Sequence, residues 1–184
     1  MDHMTVPMPL GLELSVGIRR RILAIDPGTE RSAWLVLDAS VRRFGIDPND
    51  ELLTRLRGGL IRPQVVVIEQ VEGYGMTVGR EVFETIHWSG RFQEAAERAP
   101  RDPGVPPPAV VGLTRRKVKI AICHDTKAKD QNVRLALIER FGGEACIRKG
   151  GALYGVAKDV WSALAIAVTY ADQEGIALDI GGAA

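Results

Sequence analysis

Short apolar runs separated by turn residues fill the first part of the chain. β-Favouring residues at 23–26, 33–37 and 41–45 predict three consecutive antiparallel strands. Spaced leucines in a polar segment at 50–57 predict a helix that crosses to a further strand at 65–69. Because the apolar residues of that fourth strand are continuous rather than alternating, we expect it to be central and buried on both faces.

Helical periodicity and helix breakers organise the second part of the chain. Further predicted elements are a helix over 78–98, a strand over 109–113 and helices over 132–141 and 157–173. The proline-rich stretch 100–108 ends the first of these helices, since proline lacks the amide donor and clashes with the preceding turn. This order predicts an α/β domain whose mixed five-stranded sheet, with its first three strands antiparallel, is flanked by helices.

Composition fits one globular domain of 184 residues, 46% hydrophobic and 26% charged. We expect a single domain over 18–175, preceded by an N-terminal extension at 1–17 and followed by a tail at 176–184. The formal net charge of +1 means that any basic surface must come from local clusters. Two cysteines, Cys123 and Cys146, favour a reducing compartment, and without an apolar span or signal peptide in the sequence we expect no membrane partner and a cytoplasmic location.

Three carboxylates stand at the ends of apolar segments. Asp26 closes the first strand before a Pro-Gly turn, Glu69 closes the fourth strand, and Asp159 begins the last helix. If the first and fourth strands are neighbours, Asp26 and Glu69 lie within the spacing of paired strands, about 5 Å, and Asp159 can reach the same edge. Such acids repel one another unless divalent cations neutralise them, and oxygen ligands favour magnesium or manganese. Two ions about 3.5–4 Å apart would support phosphodiester hydrolysis.

The strings around these acids resemble the RuvC-like Holliday junction resolvases of the ribonuclease H-like superfamily, especially their small phage-encoded branch. They are Ala-Ile-Asp-Pro-Gly-Thr at 24–29, Val-Ile-Glu-Gln at 67–70 and Asp-Val-Trp-Ser-Ala-Leu-Ala-Ile-Ala at 159–167. The resemblance implies a homodimeric endonuclease of a bacterial cell or its phage that nicks two strands of a four-way DNA junction symmetrically. It also implies that Asp26, Glu69 and Asp159 are catalytic and hold two Mg²⁺ ions per site, for which Mn²⁺ can substitute.

One position departs from the family pattern. The family usually carries a further acid one helical turn after the position of Asp159, where this chain has Ser162. A serine hydroxyl can hold a water molecule that is bound to a metal ion, and this is the role we expect of Ser162. It adds no negative charge to the site. With three acids instead of four, the site offers less negative charge to a second ion, and the class of reaction that the resemblance implies is unchanged.

Basic residues cluster within a short stretch before the last helix and suit contacts to DNA phosphates that do not read sequence. The candidates are Arg115, Arg116, Lys117, Lys119, Lys127, Lys129 and Arg134. Glycines flank Tyr74 in the loop after Glu69. Such an aromatic can stack on the unpaired bases of a junction, and packing against the edge of the sheet is the competing interpretation.

Three other functions compete with this interpretation. Asp-Pro-Gly-Thr at 26–29 also resembles a phosphate loop of the sugar-kinase and actin class, but those proteins need two domains of this fold, so we expect no nucleotide cofactor. A junction-binding scaffold without catalysis is compatible with Ser162. A general metal-dependent nuclease acting on branched DNA or RNA-containing substrates uses the same acids, and these last two alternatives stay open.

Overall fold

A five-stranded mixed sheet forms the centre of the computed structural model, which describes residues 20–73, 75 and 79–179. Its strands are β1 Ile22–Asp26, β2 Arg31–Asp38, β3 Ser40–Pro48, β4 Val65–Gln70 and β5 Ala109–Thr114. Their order is β3-β2-β1-β4-β5, with antiparallel pairing among the first three strands and parallel pairing of β1 with β4 and β4 with β5. The predicted mixed sheet is confirmed. The expected extension at 1–17 and Tyr74 lie outside the described residues.

Five α-helices accompany the sheet in the described part of the chain. They are α1 Asn49–Arg57, α2 Arg80–Arg98, α3 Arg115–Cys123, α4 Asp130–Arg140 and α5 Val160–Gln173, with a short 3₁₀ helix at Gly143–Ile147. Helix α3 was not predicted from the sequence pattern, although Thr114 caps it by accepting a hydrogen bond from the Lys117 amide. The predicted start of the last helix at 157 was wrong, because Lys158 has a left-handed backbone with φ of 50° and α5 begins after it.

Helices cover both faces of the sheet and leave the strand ends open. In β1, Ile22 and Ala24 face a core built with α5, while Leu23 and Ile25 face a second core built with α1 and α2. Alanines at 163, 165, 167 and 171 let α5 pack closely on the strands, and all of its residues from 160 to 171 except Ser162 are buried. The chemistry-bearing residues therefore gather where β1 and β4 end.

The aromatic residues of α2 divide between core and surface. Phe92 is fully buried in the second core, and Trp88 packs beside it with ring centroids 5.8 Å apart. Phe83 and Ile86 on the same helix are exposed. No helix among residues 20–73 and 79–179 is long and apolar enough to span a bilayer.

Candidate active site

Parallel pairing of β1 and β4 brings two carboxyl groups together. Ile25 is paired with Ile68, so Asp26 and Glu69 follow at the carboxyl ends of neighbouring strands, where their side chains share a hydrogen bond. Burial, followed by the hydrogen bond and the charge of Glu69, raises the pKa of Asp26 from 3.8 to about 8. The Asp26 carboxyl group therefore keeps its proton to a higher pH than an ordinary aspartate does, and it can donate that proton in the hydrogen bond with Glu69.

A buried polar network holds the turn after Asp26. A Cβ on Gly28 would lie 2.3 Å from the carbonyl oxygen of Arg31, so the turn requires glycine. The buried hydroxyl of Ser32 accepts from the Gly28 amide at 3.2 Å and donates to Oδ1 of Asn49 at 2.6 Å, while Nδ2 of Asn49 donates to the Gly28 carbonyl at 3.0 Å. The network fixes the backbone that carries Asp26.

Arg115 places its guanidinium against the acid pair. Its Nη1 lies 3.4 and 3.5 Å from the two carboxylate oxygens of Glu69 and donates to Oγ of Ser162 at 3.0 Å. Its Nη2 lies 2.8 Å from Oδ1 of Asp130, the first residue of α4. Arg115 was predicted as a phosphate contact, and the structure places its side chain within the acid site.

Ser162 and Asp159 occupy different positions relative to the pair. Ser162, in the first turn of α5, hydrogen-bonds Asp26 and Arg115. Asp159 is exposed just before α5 and lies on the wall of the cavity that Asp26 and Ser162 also line. Among the described residues, no three His, Cys, Asp or Glu side chains are grouped closely enough to hold a metal ion together. The structure thus assembles Asp26, Glu69 and Ser162 and leaves Asp159 apart from them.

The acid pair fits one divalent cation. Two half-buried carboxyl groups that share a proton form a site in which a cation can replace that proton and balance the remaining charge. Carboxylate oxygens with a nearby hydroxyl are hard ligands, which suit Mg²⁺ or Mn²⁺.

A cavity of about 600 Å³ opens beside the pair, between α3, α4 and the start of α5. Lys119, Arg134 and Lys158 line it together with Asp26, Asp130 and Asp159. The Arg134 guanidinium lies 5.3 Å from the centroid of the Trp161 ring, which orients that side chain at the edge of the cavity. The remaining predicted basic residues, Arg116, Lys117, Lys127 and Lys129, are exposed on α3 and on the segment leading into α4.

Sequence reasoning missed four residues that shape this site. Asn49 and Ser32 are polar residues whose burial becomes visible only when the turn is folded against α1. Asp130 stands among basic residues and Lys158 directly precedes Asp159, and the sequence pattern assigns a role to neither. An Asn at the start of a predicted helix is the one signal that favoured a structural role at these positions.

Comparisons with known proteins agree on the fold. Neither a family model nor a curated protein matches the chain. RuvC of Thermus thermophilus matches at 21% identity with a TM-score of 0.61, covering 85% of this chain and 97% of that chain. The chain has the fold of the RuvC resolvases.

Two further structures extend this likeness. Thermus thermophilus RuvC in complex with a Holliday junction substrate matches at 20% identity with a TM-score of 0.59, covering 85% of this chain and 97% of that chain. The yeast mitochondrial Holliday junction resolvase Ydc2 matches at 14% identity with a TM-score of 0.59, covering 86% and 82%. At such identities the likeness concerns the fold, and the resemblance seen in the sequence is confirmed at that level.

Proposed function

We propose that the protein is a metal-dependent endonuclease that resolves four-way DNA junctions. The observation that carries the proposal is the pair Asp26 and Glu69 at the carboxyl ends of β1 and β4, on a fold shared with a RuvC whose structure contains a Holliday junction. Its substrate would be host or phage DNA in a bacterial cytoplasm. A scaffold role is the second candidate, because Asp159 stands apart from the pair.

The proposed chemistry assigns a role to each residue of the pair. A divalent cation held by Asp26 and Glu69 would polarise the scissile phosphate. Asp26 must give up its proton when it binds a cation, and Glu69 stays between that carboxyl group and Arg115. Of the two ions that the resemblance implies, the second would depend on Asp159 and Ser162.

DNA is proposed to approach through the basic side of the cavity. Lys119 and Arg134 line the cavity itself, and the exposed residues Arg116, Lys117, Lys127 and Lys129 extend the positive surface along α3 and towards α4. Contacts of this kind bind the phosphate backbone whatever its sequence. We also propose Tyr74 as the aromatic that stacks on open bases at the crossover, an interaction of about 1–3 kcal/mol per base.

A second copy of the chain is the proposed protein partner. Phe83 and Ile86, one helical turn apart on α2, are 61% and 49% exposed. Val71, just after β4, adds a further exposed apolar side chain at 42%. Apolar side chains at neighbouring positions of one helix are typical of an interface, and two copies would present the two active sites that symmetric nicking requires.

The test is cleavage of a synthetic four-way junction beside linear duplex, flap and RNA–DNA hybrid, with Mg²⁺ and then Mn²⁺. We expect preferential junction cleavage that Asp26→Asn, Glu69→Gln and Asp159→Asn each abolish while junction binding persists. Glu30→Gln, an exposed acid in the same turn, is the matched control and should cut normally. Tight binding without cutting would favour the scaffold, and equal cutting of all substrates would favour a general nuclease.

A further inference from the structure

We propose that Arg115 is a built-in second cation of the acid site, so that the protein binds one divalent ion per site where the resemblance implies two. The inference rests on the proposed function, because it concerns how that site is charged. The expectation of two ions belongs to a family that usually carries an acid where this chain has Ser162.

The guanidinium bridges the two groups that a second cation would have to join. One nitrogen, Nη1, reaches both Glu69 and Ser162, at 3.0 to 3.5 Å. The same Ser162 hydrogen-bonds Asp26 on its other side. Arg115 therefore provides permanent positive charge beside both strand carboxyl groups, since a guanidinium is not deprotonated in proteins.

Contacts outside the acid pair hold Arg115 at this position. It is the first residue of α3, directly after Thr114, which pairs with Gln70 next to Glu69 in the sheet. Asp130 contacts its other nitrogen, Nη2, at 2.8 Å, and Lys119 lies 3.8 Å from the same Asp130 oxygen. The guanidinium is thus tethered from the side of α4, and the charge of Asp130 is shared between two cations.

Counting charges shows why one ion would suffice. When Asp26 and Glu69 are both ionised, they carry two negative charges, and Arg115 reduces the total to one, so a single divalent ion already more than balances the pair. An acid in place of Ser162 and no arginine would leave three negative charges, which exceed the charge of one divalent ion. An arginine beside the scissile phosphate can also donate hydrogen bonds to the charge that develops during hydrolysis.

The test measures Mn²⁺ bound per chain by electron paramagnetic resonance titration of DNA-free protein. We expect one ion for the wild type, one for Arg115→Lys, none for Asp26→Asn, and two for the double variant Ser162→Asp with Arg115→Gln. Arg116→Gln, which removes the exposed neighbouring cation, is the matched control and should still bind one. A cooperative thermal melt of each variant establishes that it is folded.

Two results would overturn the inference in distinguishable ways. Two ions on the wild type would remove the role of Arg115 as a second cation and leave the nuclease proposal standing. No ion on the wild type at millimolar Mn²⁺ would remove both.

At saturating Mg²⁺, Arg115→Gln should also lower the maximal cleavage rate about 100-fold, a loss typical of removing one charge-stabilising donor, while Arg115→Lys recovers part of it. Equal rates for these two variants would contradict a role based on charge.

Discussion

Asp26 has a pKa well above that of an ordinary aspartate, chiefly because its carboxyl group is buried. Its carboxyl group is held at a strand end by a glycine turn and shares a hydrogen bond with Glu69, so ionising both groups without a cation is unfavourable. At any pH where the Asp26 carboxyl group would be ionised in the unfolded chain, keeping it protonated in the fold lowers the stability of the folded state. Its removal should therefore stabilise the protein.

We predict that Asp26→Asn raises stability in a pH-dependent way. The pKa of Asp26 is about 8 in the fold and 3.8 ordinarily, so between those values the folded state binds more protons and stability falls as pH rises. The variant lacks this loss, because a neutral amide can donate to Glu69. At pH 8 without divalent ions, we expect a gain of at least about 1 kcal/mol, about 2–4 °C in Tm for a chain of this size.

Thermal melts of wild type and variant at pH 5 and pH 8 measure this difference. The Tm difference between the two proteins should widen towards pH 8, and Glu30→Gln should show no such widening because Glu30 is exposed. A constant difference across the range would mean that Asp26 ionises in the fold as it does in the unfolded chain.

At the residue scale, the sequence predicted which acidic side chains belong to the site better than it predicted which residues contact them. Asp26 and Glu69 could be located because each follows an apolar run, and strand pairing then brings the run ends together. The contact between Arg115 and Glu69 could not be predicted, since a run of three basic residues does not show which one points at an acid 46 positions earlier. Asp159 followed the family pattern, but helix α5 begins after it and leaves its side chain exposed.

Elements differ in how firmly they hold the site, and the turn between β1 and β2 is held by side chains rather than by strand pairing. Three hydrogen bonds among Gly28, Ser32 and Asn49 close the turn in the interior. Buried polar groups are costly when one partner is lost, because the others are left without a hydrogen bond. Asn49 is therefore expected to act on both stability and the placement of Asp26.

We predict that Asn49→Ala lowers the free energy of unfolding by about 1–3 kcal/mol, because it leaves the Ser32 O–H without an acceptor and the Gly28 carbonyl without a donor. Asp50→Ala is the matched control on the neighbouring residue, whose side chain is 83% exposed. Urea unfolding measures both. Equal losses of stability for the two variants would contradict this explanation. Replacing the exposed Asp50 leaves no buried polar group without its hydrogen bond.

Strands and helices were predicted correctly where a pattern of apolar residues defines them. The prediction failed where backbone geometry decides where an element begins. The central position of β4 followed from its continuous apolar run, and β1 indeed pairs with it. Helix α3 was missed because its sequence alternates basic and apolar residues over a short length, which suits several conformations. The start of α5 depended on the left-handed backbone of Lys158, a conformation that no pattern of side chains indicates for lysine.

At the scale of the whole molecule, a net charge near zero coexists with a basic surface on one side of the active site. Lys127 and Lys129 stand exposed at the entrance to α4, and Arg134 follows on the edge of the cavity. Acidic residues elsewhere balance these groups, so the net charge of +1 does not reveal this basic surface. The direction of the DNA path can be tested by its salt dependence.

We predict that Lys129→Glu weakens binding to all junction sequences alike and lowers the slope of log K against log salt by about one unit, because one phosphate contact is lost. Arg62→Glu, an exposed residue before β4 at the opposite end of that strand, should leave the slope unchanged. Fluorescence anisotropy over a salt series measures both. An unchanged slope for Lys129→Glu would move the DNA away from α4.

Pairing of two copies is the property that would turn a nicking site into a resolvase, and the exposed face of α2 makes it testable. We predict that Phe83→Glu shifts the protein from dimer to monomer in sedimentation velocity, since a charge would have to be buried in the contact. Leu60→Glu, at a side chain 68% exposed outside α2, should remain dimeric.

The same pair of variants separates pairing from chemistry on a supercoiled plasmid that extrudes a four-way junction. A dimer cuts two opposing strands within one binding event and yields linear product, whereas a monomer that retains Asp26 and Glu69 releases nicked circles. Phe83→Glu should therefore change the product from linear to nicked while cleavage still requires the metal ion. Linear product from a monomeric variant would show that two active sites need not be joined through α2, and the partner surface would then have to be sought on another face.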